Sequence, residues 1–334
     1  MYQRTAGARF LEVFLFAVAS LVLYHVGVGI GFFLIPLQVV ASRRGERSLL
    51  AACGIFLLVF LALRCVPFLG GSLPPDILSG VEAGGVVLLL LGVVAVNLSV
   101  ARRHRVLYWL LGASGAAGII AFPALAWLSR TPEFQRSMTE LYGAVSRIFT
   151  SLFATRDGME DSLAAALLSP ESLRRMSEAY LSRTLLAIYF ALLSFSWWAG
   201  QMSARRAQSG AERLPFHFAR FHLEAFWLWP LIASCGVILA DLYFHIAAWS
   251  LVAWNIGLVL VFLYGLQGLA ILRFLFEKHG LPRILWLLLV ALVIGLAASP
   301  RAGLFVAVAL PAFGVSENWI RYRVPRSAQP TEQE

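Results

Sequence analysis

The stretch YHVGVGIGFF, residues 24–33, decides how the chain enters the membrane. It lies inside an apolar run, Phe10–Ala41, whose one formal charge is Glu12. As a single helix this run of roughly 32 residues would reach ~48 Å, too long for ~30 Å of hydrocarbon without steep tilt. Split at Gly27, Gly29 and Gly31, each half is ~22 Å, short but sufficient for a thin hairpin or a re-entrant pair. Glycine suits such a turn because it accepts positive φ and close backbone approach. The competing reading makes these glycines a helix-packing face, with the N-terminus on the other side of the bilayer.

Composition sets the frame for that choice. Charged residues make up 13% of the 334-residue chain, against about 25% for soluble domains. Apolar runs near membrane-spanning length, each with at most two charges, recur at roughly 49–69, 79–100, 106–128, 184–203, 224–247 and 249–272. The fold class expected is therefore all-α: a polytopic integral membrane protein with 8–10 membrane segments, lying in a lipid bilayer. The net charge of +9 is almost all arginine, Lys278 being the only lysine. In a soluble protein that excess would suggest nucleic acid, which is not expected as a partner here. Beside membrane spans it follows the positive-inside rule. Cys53, Cys65 and Cys235 fall in apolar runs with neither metal nor disulfide spacing.

Loop charges favour the hairpin. Loops 42–48, 101–105, 203–222 and 273–283 are net positive, and the loops between them carry little net positive charge. The positive loops are placed on the cytoplasmic side of a bacterial inner membrane. Arg4 and Arg9 put the N-terminus on the same side as loop 42–48, so run 10–41 must go in and return. The same parity applies to Ile284–Val315, which carries one charge, Arg301, and leads to the basic tail with Arg321, Arg323 and Arg326. That run is expected to turn at Ser299-Pro300-Arg301, giving short hairpins at both ends and both termini in the cytoplasm.

Four divisions follow: an N-terminal membrane bundle over 1–128, an extracytoplasmic segment over 129–183, a C-terminal membrane bundle over 184–323 and a disordered tail over 324–334. Within 129–183, Phe134, Met138, Leu141, Tyr142, Val145, Ile148, Phe149, Leu152 and Phe153 recur with a period near 3.6. An amphipathic helix of this kind is expected to lie in the membrane interface, or over a cavity as a lid. The sequence TRDG at 155–158 ends it. A second helix is expected from Ser169-Pro170-Glu171, with serine as cap and proline in the first turn, running into the span at 184.

No catalytic signature is present: there is no G-x-S-x-G, H-E-x-x-H or Walker lysine loop. The expectation is a non-enzyme without a cofactor, unable by itself to drive transport with nucleotide. Attention passes to polar residues in spans, which are costly in lipid without partners: His25, Gln38, Arg64, Glu82, Asn97, Asp241, His245, Asn255 and Gln267. Asp241 and His245, four apart, share a helical face and could pair or bind a cation or proton, or simply reach water. Asn255 and Gln267 lie on one helix twelve positions apart and could hold a ligand or another helix. These four are the candidate ligand-binding residues. LPFHFARFHLEAFWLWP, 214–230, carries His217, His222 and Glu224, but the histidines are five apart, so no metal is expected. Trp227 and Trp229 suit a membrane-interface belt. LLGASGAAG, 110–118, offers small residues for close helix packing, within the protein or toward a membrane protein partner.

The second half carries a resemblance. SPESLRRMSEAYLSRTLLAIYFALLSFSWWAGQMSARR (169–206), LPFHFARFHLEAFWLWPLI (214–232), NIGLVLVFLYGLQGLAILRFLFEKHGLPR (255–283) and FGVSENWIRYR (313–323) occur in an order that resembles the YybS-like family of bacterial membrane proteins, a domain of unknown function. The likeness is best over roughly 165–325. Leu223-Glu224 stands where that family tends to have Leu-Pro, and Ser316-Glu317-Asn318-Trp319 where it tends to have an acid before an aromatic. The general look is similar to the substrate-binding membrane subunits of energy-coupling-factor vitamin transporters, which borrow energy from a partner ATPase. This chain is nearly twice as long and lacks their A-x-x-x-A on the first span, so that analogy reaches fold type only. Two functions are weighed: a substrate-binding or transport subunit without its own ATPase, and a non-catalytic scaffold or assembly partner in the cell envelope.

Overall fold

The computed structural model describes residues 6–27, 31–69, 77–98, 106–153, 168–207 and 218–323. Among these the regular structure is helical throughout. Six of the described helices are long and apolar enough to cross a membrane, and three shorter apolar ones accompany them. The protein is thus a polytopic membrane protein, as composition requires. The chain divides into two compact units, Met1–Ala211 and Glu212–Glu334.

Among the described residues the first unit holds seven helices: α1 (Ala6–His25), α2 (Leu34–Arg44), α3 (Glu46–Leu69), α4 (Ile77–Leu98), α5 (Val106–Leu128), α6 (Pro132–Phe153) and α7 (Pro170–Ala207). Run 10–41 does break. Gly27 takes a positive φ of 70° just after α1 ends. Gly29 lies outside the described residues, and a Cβ on Gly31 would strike Leu192 of α7. The helices α1 and α2 are antiparallel: the Ser20 hydroxyl donates to the Phe33 carbonyl near the turn, and at the far end Arg44 pairs with Glu12. Gly45, φ 82°, then reverses the chain into α3. Such backbone angles cost a side-chain-bearing residue on the order of 1 kcal/mol or more. The 11-residue α2 is mostly buried, including Leu34, Leu37 and Gln38.

α7 runs unbroken for 38 residues, ~57 Å, from the polar segment into the membrane. Its start matches the expectation: the Ser172 N–H donates to the Ser169 hydroxyl at 3.3 Å. α6 packs against this first part, where the Ser146 hydroxyl donates to the Leu168 carbonyl at 2.6 Å. Leu141, Ile148 and Phe149 of α6 remain exposed, and 155–158 lies outside the described residues. Farther along, α7 meets glycines. A Cβ on Gly92 would strike Tyr189 and Leu193, one on Gly118 would strike Leu186, and one on Gly200 would strike Gln38. Small residues are what let membrane helices approach this closely. The 110–118 stretch is divided by this packing: Ser114, Ala117 and Gly118 are buried, whereas Gly112 and Gly115 face outward.

The second unit holds α8 (Leu228–Phe244), α9 (Ala247–Lys278), α10 (Arg283–Ala297) and α11 (Pro300–Ser316), preceded by two 3-10 turns at Phe218–Arg220 and Ala225–Trp227. The break between α10 and α11 falls at the expected Ser299-Pro300. α9 is the centre, packed by α8 and α11. α11 crosses α9 at a close contact, with Gly265 against Pro311 and Gly268 against Gly314. A Cβ on Gly314 would collide with the Tyr264 carbonyl, and one on Gly268 with the Leu310 carbonyl, so the two backbones touch.

Candidate functional site

Polar side chains buried in apolar helices need partners, and the partners show what each side chain is for. Gln267, fully buried on α9, is completely engaged. Its Oε1 accepts from the Leu223 N–H at 3.0 Å; its Nε2 donates to the Gly314 carbonyl at 3.1 Å and to Glu317 at 2.8 Å. One amide thus ties α9, the end of α11 and the segment before α8.

Glu317 extends the cluster. Its side chain is 8% exposed, and Arg323, 14% exposed, meets it with Nε at 2.8 Å from Oε1 and with Nη2 donating to Oε2 at 3.0 Å. The Nη2 bond is charge-assisted and so stronger than a neutral hydrogen bond, and the Nε contact is an ion-pair approach beside it. Arg323 Nη1 also donates to the Ala219 carbonyl at 3.0 Å. Burial pushes the Arg323 guanidinium below its ordinary value and Glu317 draws it back up, so the arginine keeps its charge. His222 approaches from the exposed side, Nδ1 3.6 Å from Glu317 Oε2. His222 thus addresses Glu317; among the described residues no three His, Cys, Asp or Glu gather, and His217 lies outside them.

The other three candidates do not join this cluster. Asn255 is fully buried and its Nδ2 donates to the Leu251 carbonyl of its own helix at 2.9 Å. It stands ~18 Å along α9 from Gln267. Asp241 and His245 sit at the α8–α9 turn, where the His245 N–H donates to the Asp241 carbonyl at 3.1 Å and His245 caps α8 with φ 52°. Asp241 is half-buried and His245 exposed.

The first unit brings together residues that the sequence places on separate spans. Tyr24 donates to Glu82, which also pairs with Arg64, so α1, α3 and α4 meet at one charged point. Arg64 lies 5.5 Å over the Phe60 ring. Elsewhere, Asn97 Nδ2 on α4 donates to Gln38 Oε1 on α2 at 2.8 Å and to the Val93 carbonyl at 2.7 Å. Gln38 is 1% exposed, and its own Nε2 has no partner among the described residues. That open donor, invisible in a sequence, is the buried amide valence left over in this pair. Periodicity ranks Gln38 no higher than its eight fellow candidates because nothing local marks which amides a fold will satisfy.

A family model described as predicted membrane protein, DUF2232, matches residues 77–309, from the start of α4 into α11. No curated protein and no solved structure matches the chain. The match covers well over half of the sequence and agrees with the YybS-like resemblance of its second half: this chain belongs to the DUF2232 family of predicted membrane proteins.

Proposed function

We propose that the chain is a substrate-binding or transport subunit of a bacterial cytoplasmic membrane complex, without catalytic activity or an ATPase of its own. One observation carries the reading: the unpartnered Gln38 Nε2, buried on a short helix and braced by Asn97. An unmet buried donor costs about 1–3 kcal/mol, so it is kept where something accepts from it. Discontinuous helices frame binding sites in many transporters, and α2 is such a helix. The ligand is an uncharged small molecule presenting a carbonyl or hydroxyl oxygen, because the side chain that braces the amide, Asn97, is itself uncharged. Both termini face the cytoplasm in this reading, following the positive loops.

The test is to purify the protein in mild detergent, extract bound small molecules with solvent and identify them by mass spectrometry. A metabolite present with the wild type and lost from Gln38→Leu supports binding. Protein carrying lipid alone, or a metabolite retained by Gln38→Leu, overturns it. Asn97 keeps its Val93 bond in that variant, so folding is spared.

The scaffold reading has a separate observation behind it. Gly80 and Gly84 on α4 are exposed, and nothing lies within 4 Å of a Cβ built on either. This small-xxx-small spacing is suited to docking a helix of a partner membrane protein. Its mark would be stable co-purification of a second membrane protein that Gly84→Leu abolishes.

A further inference from the structure

The last hairpin is too short for an ordinary bilayer, and nothing among the described residues hides its turn. α10 has 15 residues and α11 has 17, ~22 and ~25 Å against ~30 Å of hydrocarbon. The helices α3, α4 and α5 have 24, 22 and 23 residues, ~36, ~33 and ~34 Å, and fit a normal bilayer with modest tilt. A short membrane helix is tolerated where protein encloses it. That describes α2, whose residues are largely buried. It does not describe α10, which has no buried residue. Leu287, Leu288 and Ile294 are 60%, 58% and 64% exposed, whereas Trp286, Leu289, Val290 and Val293 are half-buried, so one side of the helix packs and the other is open.

Both ends of α10 are fixed. At one end Arg283 and Trp286 enter the helix, and the Arg273 guanidinium lies 5.4 Å over the Trp286 ring. At the other, Ser299 and Arg301 are exposed. Sliding cannot relieve the shortfall, because the Gly268 and Gly314 backbone contacts lock α11 in register on α9. The polar turn, with the end carbonyls of α10, would otherwise sit in hydrocarbon.

We propose that the bilayer thins locally around α10 and α11 to bring the Ser299–Arg301 turn to water, so that this face of the second unit is a surface for short-chain lipid. Thinning, here by ~8 Å, is one of the ways a bilayer accommodates a hydrophobic surface shorter than itself, beside snorkelling of flanking residues and oligomerisation.

The test uses full-length protein with Cys53, Cys65 and Cys235 replaced by alanine and Arg301→Cys added. It is reconstituted in dimyristoleoyl, dioleoyl or dierucoyl phosphatidylcholine vesicles and labelled with a membrane-impermeant maleimide. Glu171→Cys, in the polar start of α7, serves as the reference site. The labelling rate at position 301 should fall about tenfold from the shortest to the longest lipid while the reference rate stays constant. Equal rates in all three lipids would show that access to the turn does not depend on bilayer thickness, and so that the shortness of α10 and α11 does not select short-chain lipid. No labelling in any lipid would show that the turn is covered by protein or lies re-entrant within the membrane. Either result overturns the proposal.

Discussion

Replacing Glu317 by alanine removes the hub of the second unit's polar cluster. Arg323 loses its hydrogen bond and ion pair to the carboxylate and is left 14% exposed beside the Ala219 carbonyl, and Gln267 Nε2 keeps only Gly314. Stranding one member of a buried pair costs about 3–5 kcal/mol, mostly the uncompensated charge. Arg323→Ala strands the carboxylate instead, with Gln267 and His222 still beside it, so its cost should fall at the low end of that range. The double variant Glu317→Leu/Arg323→Leu strands no charge and restores apolar volume. It should lose less than the sum of the two singles by at least ~2 kcal/mol, because residues sharing a pair are not additive. The assay is reversible unfolding of the detergent-solubilised full-length protein in denaturant, followed by tryptophan fluorescence. Singles within ~0.5 kcal/mol of wild type, or a strictly additive double variant, would refute the view that this ion pair holds the segment before α8 to the end of α11.

Further outcomes follow from the same packing. Gly314→Ala should lower stability by about 1–3 kcal/mol, since its Cβ would press on the Tyr264 carbonyl. Gly112→Ala, which faces open space, should be neutral or raise stability by up to ~1 kcal/mol; thermal unfolding of the two side by side checks this. Gln267→Leu should cost about 2–4 kcal/mol, because the buried Leu223 N–H and the Gly314 carbonyl lose their side-chain partner. That loss should appear equally with or without any small molecule added. Arg174 first, then Arg175, hold the Glu171 carboxyl below its usual range. A carboxylate depressed in the folded state contributes above its unfolded value near ~4.3 and stops contributing as pH falls through the folded value. Helicity of α7 should therefore weaken on acidification below about pH 4, and Glu171→Gln should flatten that part of the profile measured by circular dichroism.

The membrane class, the approximate spans and both terminal breaks were legible in the linear sequence. Apolar run length is a local property, and loop charge has a parity that hydrocarbon thickness enforces. The start of α7 was legible too, because a serine cap followed by proline acts within one turn. Gln267 stood out as a polar residue in lipid, but its purpose did not. Whether an amide at that position lines a cavity or joins three chain segments depends on where Leu223, Gly314 and Glu317 arrive, and those lie 44, 47 and 50 positions away. In the sequence Arg323 is one of three arginines of a basic tail and Glu317 belongs to a motif of the family resemblance; only packing of the chain end against the 218–223 segment made them a buried pair. Gln38 shows the converse. Nothing in its neighbourhood along the chain distinguishes it from Asn255, yet Asn97 occupies its carbonyl and leaves its amino group open. Hydrophobic patterning decides which segments enter lipid because transfer from water is additive along the chain. Hydrogen-bond satisfaction is decided between segments, and so belongs to the tertiary structure.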